Sequence, residues 1–235
     1  MKCFRTSFIL VVTALVSPVT ANAVLTTYTD QASFLVNLPG AETTLDFDST
    51  AAGTLIGNGD TIGGITFNHS FFDDFGIDMQ VTDVFDATSG ENSLGVETDA
   101  EFLDGDDFSL GLPSVNAIGM YFIATDPVFA DEITITIDYV DDLIPDFSFG
   151  TSGVQDGVDL DDGGIPYFIG IIDTMNAFDL ALITTSGNPQ PIDPVDGYFG
   201  FNIDDITTSM VPIPAAGWLF LSGLIGLFTL RKKTA

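Results

Sequence analysis

Over most of this chain apolar side chains recur at every second position. In Glu132-Ile133-Thr134-Ile135-Thr136-Ile137-Asp138-Tyr139 the three isoleucines and Tyr139 share one face, while Thr134, Thr136 and Asp138 share the other. That alternation predicts a half-buried strand. Similar short runs lie at 43–47, 64–67, 79–85, 93–97, 108–112, 117–123, 167–172, 178–184 and 198–206. Turn clusters separate them, among them Gly57-Asn58-Gly59-Asp60, Asp104-Gly105-Asp106-Asp107, Asp156-Gly157 and Asp162-Gly163-Gly164. Residues 28–38 break the pattern: Thr29 and Asp30 are cap candidates and Pro39-Gly40 closes the segment, which predicts one short helix. One helix followed by about ten strands predicts an all-β body, a β-sandwich or jelly roll. The nearly continuous apolar run 167–172 belongs in its centre, covered on both sides.

The two ends follow other rules. Lys2 and Arg5 precede an apolar run at 8–16 and the small-residue triplet Ala21-Asn22-Ala23. This is the pattern of a secretory signal peptide, residues 1–23, cleaved between Ala23 and Val24. The run is about half the ~20 residues that a membrane span requires. The single cysteine, Cys3, leaves with it, and Val24 excludes a lipoprotein-type attachment at the cleavage point. At the other end, 215–230 is uncharged and would span about 24 Å as a helix. Trp218 on one side and Arg231, Lys232 and Lys233 on the other are suited to the two membrane interfaces, with the cations cytoplasmic. The expected topology is an external domain, residues 24–210, on a C-terminal hook.

Charge narrows the partners. The 235 residues hold 34 acids against 5 Lys and Arg, a formal charge of −29 with 1 His. The cations are Lys2, Arg5, Arg231, Lys232 and Lys233, so the exported domain has none, and every acid lies between Asp30 and Asp205. Such a domain repels polyanions and lacks the side chains that clamp phosphates, which excludes nucleic acids and nucleotides as partners. It is no disordered acidic tail, because 46% of the chain is apolar and 21 residues are Phe.

The C-terminal order Val211-Pro212-Ile213-Pro214-Ala215-Ala216-Gly217-Trp218-Leu219, an apolar stretch and Arg231-Lys232-Lys233 resembles the VPLPA variant of the PEP-CTERM sorting signals of Gram-negative bacteria. Ile213 stands where the name has Leu. The resemblance covers 211–235 and implies that an exosortase in the inner membrane is the processing partner. That enzyme cuts near Val211, Pro212, Ile213, Pro214 and Ala215 and releases the exported domain to the surface or the exopolysaccharide matrix. The motif is then a substrate. Pro212 and Pro214 hold it extended, the form a protease grips. The stretch 199–206 is also similar to the last strand of galactose-binding-like jelly rolls.

Within the body, carboxylates in Gly-rich turns are explained first by bonds to the local backbone. The sharper expectation is Ca²⁺, which takes six to eight oxygens. Asp46 and Asp48 flank Phe47 on an early strand and Asp204 and Asp205 end the last one; jelly rolls often bring those strands together, so the four are one candidate site. The turns holding Asp104, Asp106 and Asp107, and Asp156, Asp159, Asp161 and Asp162, are candidate local chelators. Neither is an EF-hand, since Gly163 and Gly170 occupy ligand positions counted from Asp159. With His69 the single imidazole, a multi-histidine zinc site is excluded, and the body offers no Cys or Lys nucleophile and no Gly-x-Ser-x-Gly elbow. The leading expectation is a non-enzymatic, cation-binding surface or matrix protein. The alternatives are a calcium-dependent carbohydrate-binding module and a polysaccharide hydrolase built on two carboxylates; the sole Trp, Trp218, in the hook is no sugar platform for either.

Overall fold

The computed structural model describes residues 25–69, 77–139, 147–158, 160–161, 163–185 and 199–211. Ala21, Ala23 and Val24 of the signal peptide lie outside the described residues. So do Asp159 and Asp162, the motif residues Pro212, Ile213, Pro214 and Ala215, and Trp218, Arg231, Lys232 and Lys233 of the hook. Among the described residues no helix is long and apolar enough to cross a membrane.

The described elements run β1 (Leu25–Tyr28), α1 (Gln31–Val36), β2 (Glu42–Leu45), β3 (Leu55–Ile56), β4 (Thr61–Ile62), β5 (Ile65–His69), β6 (Met79–Thr82) and β7 (Ser93–Val96). They continue with β8 (Phe102–Leu103), β9 (Phe108–Val115), β10 (Ala117–Ala124), β11 (Ala130–Asp138), β12 (Phe147–Ser152), β13 (Ile165–Asp173), β14 (Phe178–Thr185) and β15 (Gly200–Ser209). They form two antiparallel sheets. The larger has the order β1-β13-β10-β15-β7-β6-β3, with β2 and β8 also pairing along β15; the smaller is β12-β11-β14-β9-β5-β4. The body is therefore an all-β, two-sheet sandwich with one short helix, as the alternation predicts.

The core lies between the sheets. Ile133, Ile135 and Ile137 of β11 are fully buried, and Ile135 pairs with Ile183 of β14. From the larger sheet Met120, Phe122, Ile169, Ile171, Phe201 and Ile203 enter the same cluster. The outer face of β10 and β13 carries a second cluster under α1, made of Phe34, Ala117, Tyr121, Phe168 and Ile172. Gly119 and Gly170 are register partners, and a Cβ on either would come within 2.9 Å of the Phe34 ring. The helix is docked where two facing strands lack side chains, so the run 167–172 is covered on both faces.

Several boundaries differ from the alternation. The helix is shorter than 28–38 because Tyr28 pairs with Gly170 in β1, and Asp30 caps it by accepting from Ser33 N at 2.8 Å. The early strand stops at Leu45, before Phe47, which adopts φ +58°. The run 79–85 ends at Thr82, whose hydroxyl accepts from Val84 N at 3.1 Å and turns the chain. Strands β3, β4 and β8 are two residues long, too short for a period to show.

Candidate functional site

The candidate cluster is built on an irregularity in β15. Opposite β10, Gly119 pairs with Thr207 and Tyr121 with Asp204, so one residue of β10 faces two of β15. Asp205 is the extra one, at φ +52°. This bulge lets Asp204 and Asp205, though consecutive, both leave the core side while Ile203 and Ile206 both stay in it. Asp204 and Asp205 thus sit within the last strand rather than at its end. Asp46 and Asp48 lie in the turn after β2, not on a strand, and stand beside Asp205 because Leu45 pairs with Ile206.

The oxygens of this cluster are taken by the loop 83–92 between β6 and β7. Asp204 Oδ2 accepts from Thr88 N at 2.8 Å, Thr88 Oγ1 at 2.8 Å and Ser89 N at 3.1 Å. Asp204 Oδ1 accepts from Asp205 N at 2.8 Å. Asp205 accepts from Ser89 Oγ at 2.7 Å and shares the Thr88 hydroxyl at 3.2 Å. Asp48 Oδ1 accepts from Glu91 N at 2.8 Å and Asn92 N at 3.2 Å, and Asp46 Oδ1 from Asp48 N at 3.2 Å. The carboxylates therefore act first as acceptors that strap this loop down. Gly90, at φ +62°, is required where the loop passes Asp48, since a Cβ there would overlap that carboxylate.

Burial, then the charge of Asp205, raises Asp204 from 3.8 to about 7 against the opposing bonds from Thr88, Ser89 and Asp205. Burial also raises Asp205, opposed by Ser89 and Thr88 and reinforced by Asp46 and Asp48. Asp204 is fully buried, so no substrate touches it. Among the described residues no three His, Cys, Asp or Glu side chains are grouped to hold one ion. The fold brings Asp46, Asp48, Asp204 and Asp205 into one electrostatic field.

The other acids are spread among separate local tasks. Asp106 Oδ2 accepts from Leu103 N at 2.7 Å and Asp107 Oδ1 from Thr185 N at 3.1 Å, while Asp104 N donates to Phe199 O at 3.1 Å. Asp156 Oδ2 accepts from Gln31 N at 3.0 Å and from Tyr121 Oη at 2.7 Å, fixing the start of α1 to β10. Burial, with that bond next, raises Tyr121 far above its ordinary value. Asp161 lines an open acidic cleft of about 470 Å³ with Asp83, Phe85, Asp86, Gly90 and Glu91. His69 is buried on β5, its Nε2 3.1 Å from Ile56 O, a packed structural histidine.

Sequence reasoning missed Thr88 and Ser89, the main partners of the cluster. It also missed Asp173, which accepts from Met175 N at 2.8 Å, Asn176 N at 3.0 Å and Tyr139 Oη at 2.8 Å. The bulge did leave a trace, because Phe199, Phe201 and Ile203 keep period two and Ile206 breaks it.

No family model and no curated protein matches this chain. Among solved structures it is similar to the K2 cleaved adhesin domain of Lys-gingipain, with 14% identity, 72% of this chain and 98% of that one covered, and a TM-score of 0.43. That likeness supports no inference about this chain.

Proposed function

We propose that this chain is a non-enzymatic, exported protein of the cell surface or extracellular matrix. In this reading a signal peptide ending at Ala23 exports it, the 215–230 segment holds it briefly in the inner membrane, and an exosortase cuts within Val211-Pro212-Ile213-Pro214-Ala215. The released body is a jelly-roll type of sandwich whose charge attracts divalent cations such as Ca²⁺ from the medium.

The observation that carries the proposal is the place where the motif meets the body. Strand β15, which pairs with β10, β2, β7 and β8, ends at Ser209. Val211 N donates to Asn116 Oδ1 at 3.0 Å. The proline-punctuated, membrane-directed segment thus begins just after the tie to Asn116, so a cut beyond Val211 leaves every described strand intact. The cation-binding part rests on charge alone: 34 acids and no Lys or Arg between Thr6 and Leu230.

The test is replacement of both Pro212 and Pro214 by Ala in the native host. Full-length protein accumulating in the inner membrane is the expected result; release at the normal rate would overturn the sorting reading.

A further inference from the structure

Across β5, β9 and β14 the outer face of the smaller sheet carries mostly uncharged side chains. Strand register sets its residues in cross-strand rows. Thr66, Gly111, Leu180 and Asp138 form one; Asn68, Ser109, Leu182, Thr136 and Ser148 form the next. Asp138, buried at the β11 end of its row, is the one charged member. Two hollows run along these rows and meet at Asn68. One, of about 420 Å³, is lined by Thr66, Asn68, Gly111, Pro113, Asp179 and Leu180 among others. Asn58, Asn68, Asp107, Ser109 and Leu182 line the other, of about 380 Å³. Together they make a trough across β5, β9 and β14, with its floor lowered at Gly111.

Three polar side chains of this trough are uncommitted, while Asn58 and Asp107 accept from His69 N and Thr185 N. Among the described residues the Asn68 amide, the Ser109 hydroxyl and the Asp179 carboxylate make no side-chain hydrogen bond, whereas Thr66 Oγ1 is satisfied by Thr61 Oγ1 at 2.9 Å. Leu180 and Leu182, both half-buried, add aliphatic surface between them.

We propose that this trough is a binding site for a neutral saccharide chain. A sugar hydroxyl both donates and accepts, and Asn68 and Ser109 each offer both roles from one side chain, while Asp179 accepts from vicinal hydroxyls. The C–H face of a pyranose ring needs apolar surface, which the two leucines supply. A few convergent polar groups in a partly apolar hollow of this size is the usual composition of a small-ligand site. Charge selects the class of sugar. Asp107 and Asp179 stand at the two ends with no cation in the body, so uronic acids, sulfates and phosphates are repelled and an uncharged chain is not. An extended peptide would pair with a strand edge, whereas this is a sheet face. The site needs no metal and does not depend on how the chain is sorted.

The test is calorimetric titration of the full chain, purified in detergent with excess EDTA, against maltohexaose, cellohexaose and mannohexaose, with hexagalacturonate as the acidic comparison. At least one neutral hexasaccharide is expected to bind while hexagalacturonate does not. N68A and S109A are each expected to weaken that binding about tenfold, the loss of one well-placed hydrogen bond. Because neither side chain is bonded among the described residues, both variants are expected to melt with the parent. Three results would overturn the proposal: no binding of any neutral hexasaccharide, equal binding of hexagalacturonate, or unchanged affinity in both variants.

Discussion

Ile203 and Ile206 are both fully buried in the core between the sheets although they are three positions apart on one strand. In a regular strand an odd separation puts two side chains on opposite faces. Here the extra residue, Asp205 at φ +52°, restores the match and turns two consecutive carboxylates outward. Deleting Asp205 is therefore expected to force one of the isoleucines out of the core, at a cost of at least about 2 kcal/mol. Asp205→Gly keeps the extra residue and suits the positive φ, and is expected to stay within about 1 kcal/mol of the parent. Urea midpoints of the two variants check this; equal loss in both would contradict the bulge account.

The pH dependence of stability has two opposed parts: Asp204 leads the carboxyls raised by burial, with Glu101, Asp106 and Asp205, and Asp173 is lowered. Asp204 sits at about 7 because of burial and then Asp205. The stability linked to it is complete below the ordinary carboxylate range and is lost as pH rises through about 7. Asp173 goes the other way. Burial alone would raise it, but bonds from Asn176, Met175 and Tyr139 leave it lowered, so its contribution is present above the ordinary range and lost in acid. The melting temperature is expected to peak at mildly acidic pH. Asp204→Asn should flatten the decline on the alkaline side and leave the acid side unchanged. Thermal melts from the ordinary carboxylate range up to about pH 7 test this, and a parent curve that does not fall over that interval would contradict it.

A methyl group has no room between α1 and the larger sheet. A Cβ on Gly170 would lie 2.6 Å from Phe34 Cδ2, and one on Gly119 2.6 Å from Phe168 Cζ. Gly170→Ala is expected to cost about 1–3 kcal/mol by overpacking, and Phe34→Ala about 3–5 kcal/mol by emptying the same place. In the double variant the costs should be less than additive, since removing the ring makes room for the methyl. Denaturation midpoints of the three proteins form the cycle, and strict additivity would contradict the docking described.

Asn116 gathers three parts of the chain at one end of the sandwich. Its amide donates to Asp173 O at 3.0 Å, its Oδ1 accepts from Val211 N at 3.0 Å, and its backbone N donates to Ser209 O at 2.8 Å. Asn116→Ala removes two of these bonds and is expected to cost about 1–3 kcal/mol. It should also free the end of β15, so that limited proteolysis of the variant begins upstream of Val211. An unchanged proteolytic boundary would show that Asn116 does not hold the chain exit.

The sheet architecture was legible because burial enforces alternation: β11 and β13 follow directly from their apolar positions. The two-residue strands were not, since two positions cannot display a period. The short helix was visible in its Asp30 cap, but its start was misplaced because Tyr28 reads equally well as helix or strand until Gly170 is found opposite it. The pairing of β2 with β15 lay within the jelly-roll expectation, whereas the loop that occupies the carboxylates was hidden. Thr88 and Ser89 reach Asp204 across more than a hundred residues, and nothing local in their sequence marks them as its partners. The same holds for the trough, whose Asn68 and Ser109 become neighbours only through strand register.

The carboxyl end of the mature molecule separates a temporary tether from a permanent anchor. Intact-mass measurement of protein recovered from the native cell surface or medium is expected to show a chain beginning at Val24 and ending within Val211-Pro212-Ile213-Pro214-Ala215. Mature material that still carries Trp218 and Arg231-Lys232-Lys233 would contradict the temporary tether.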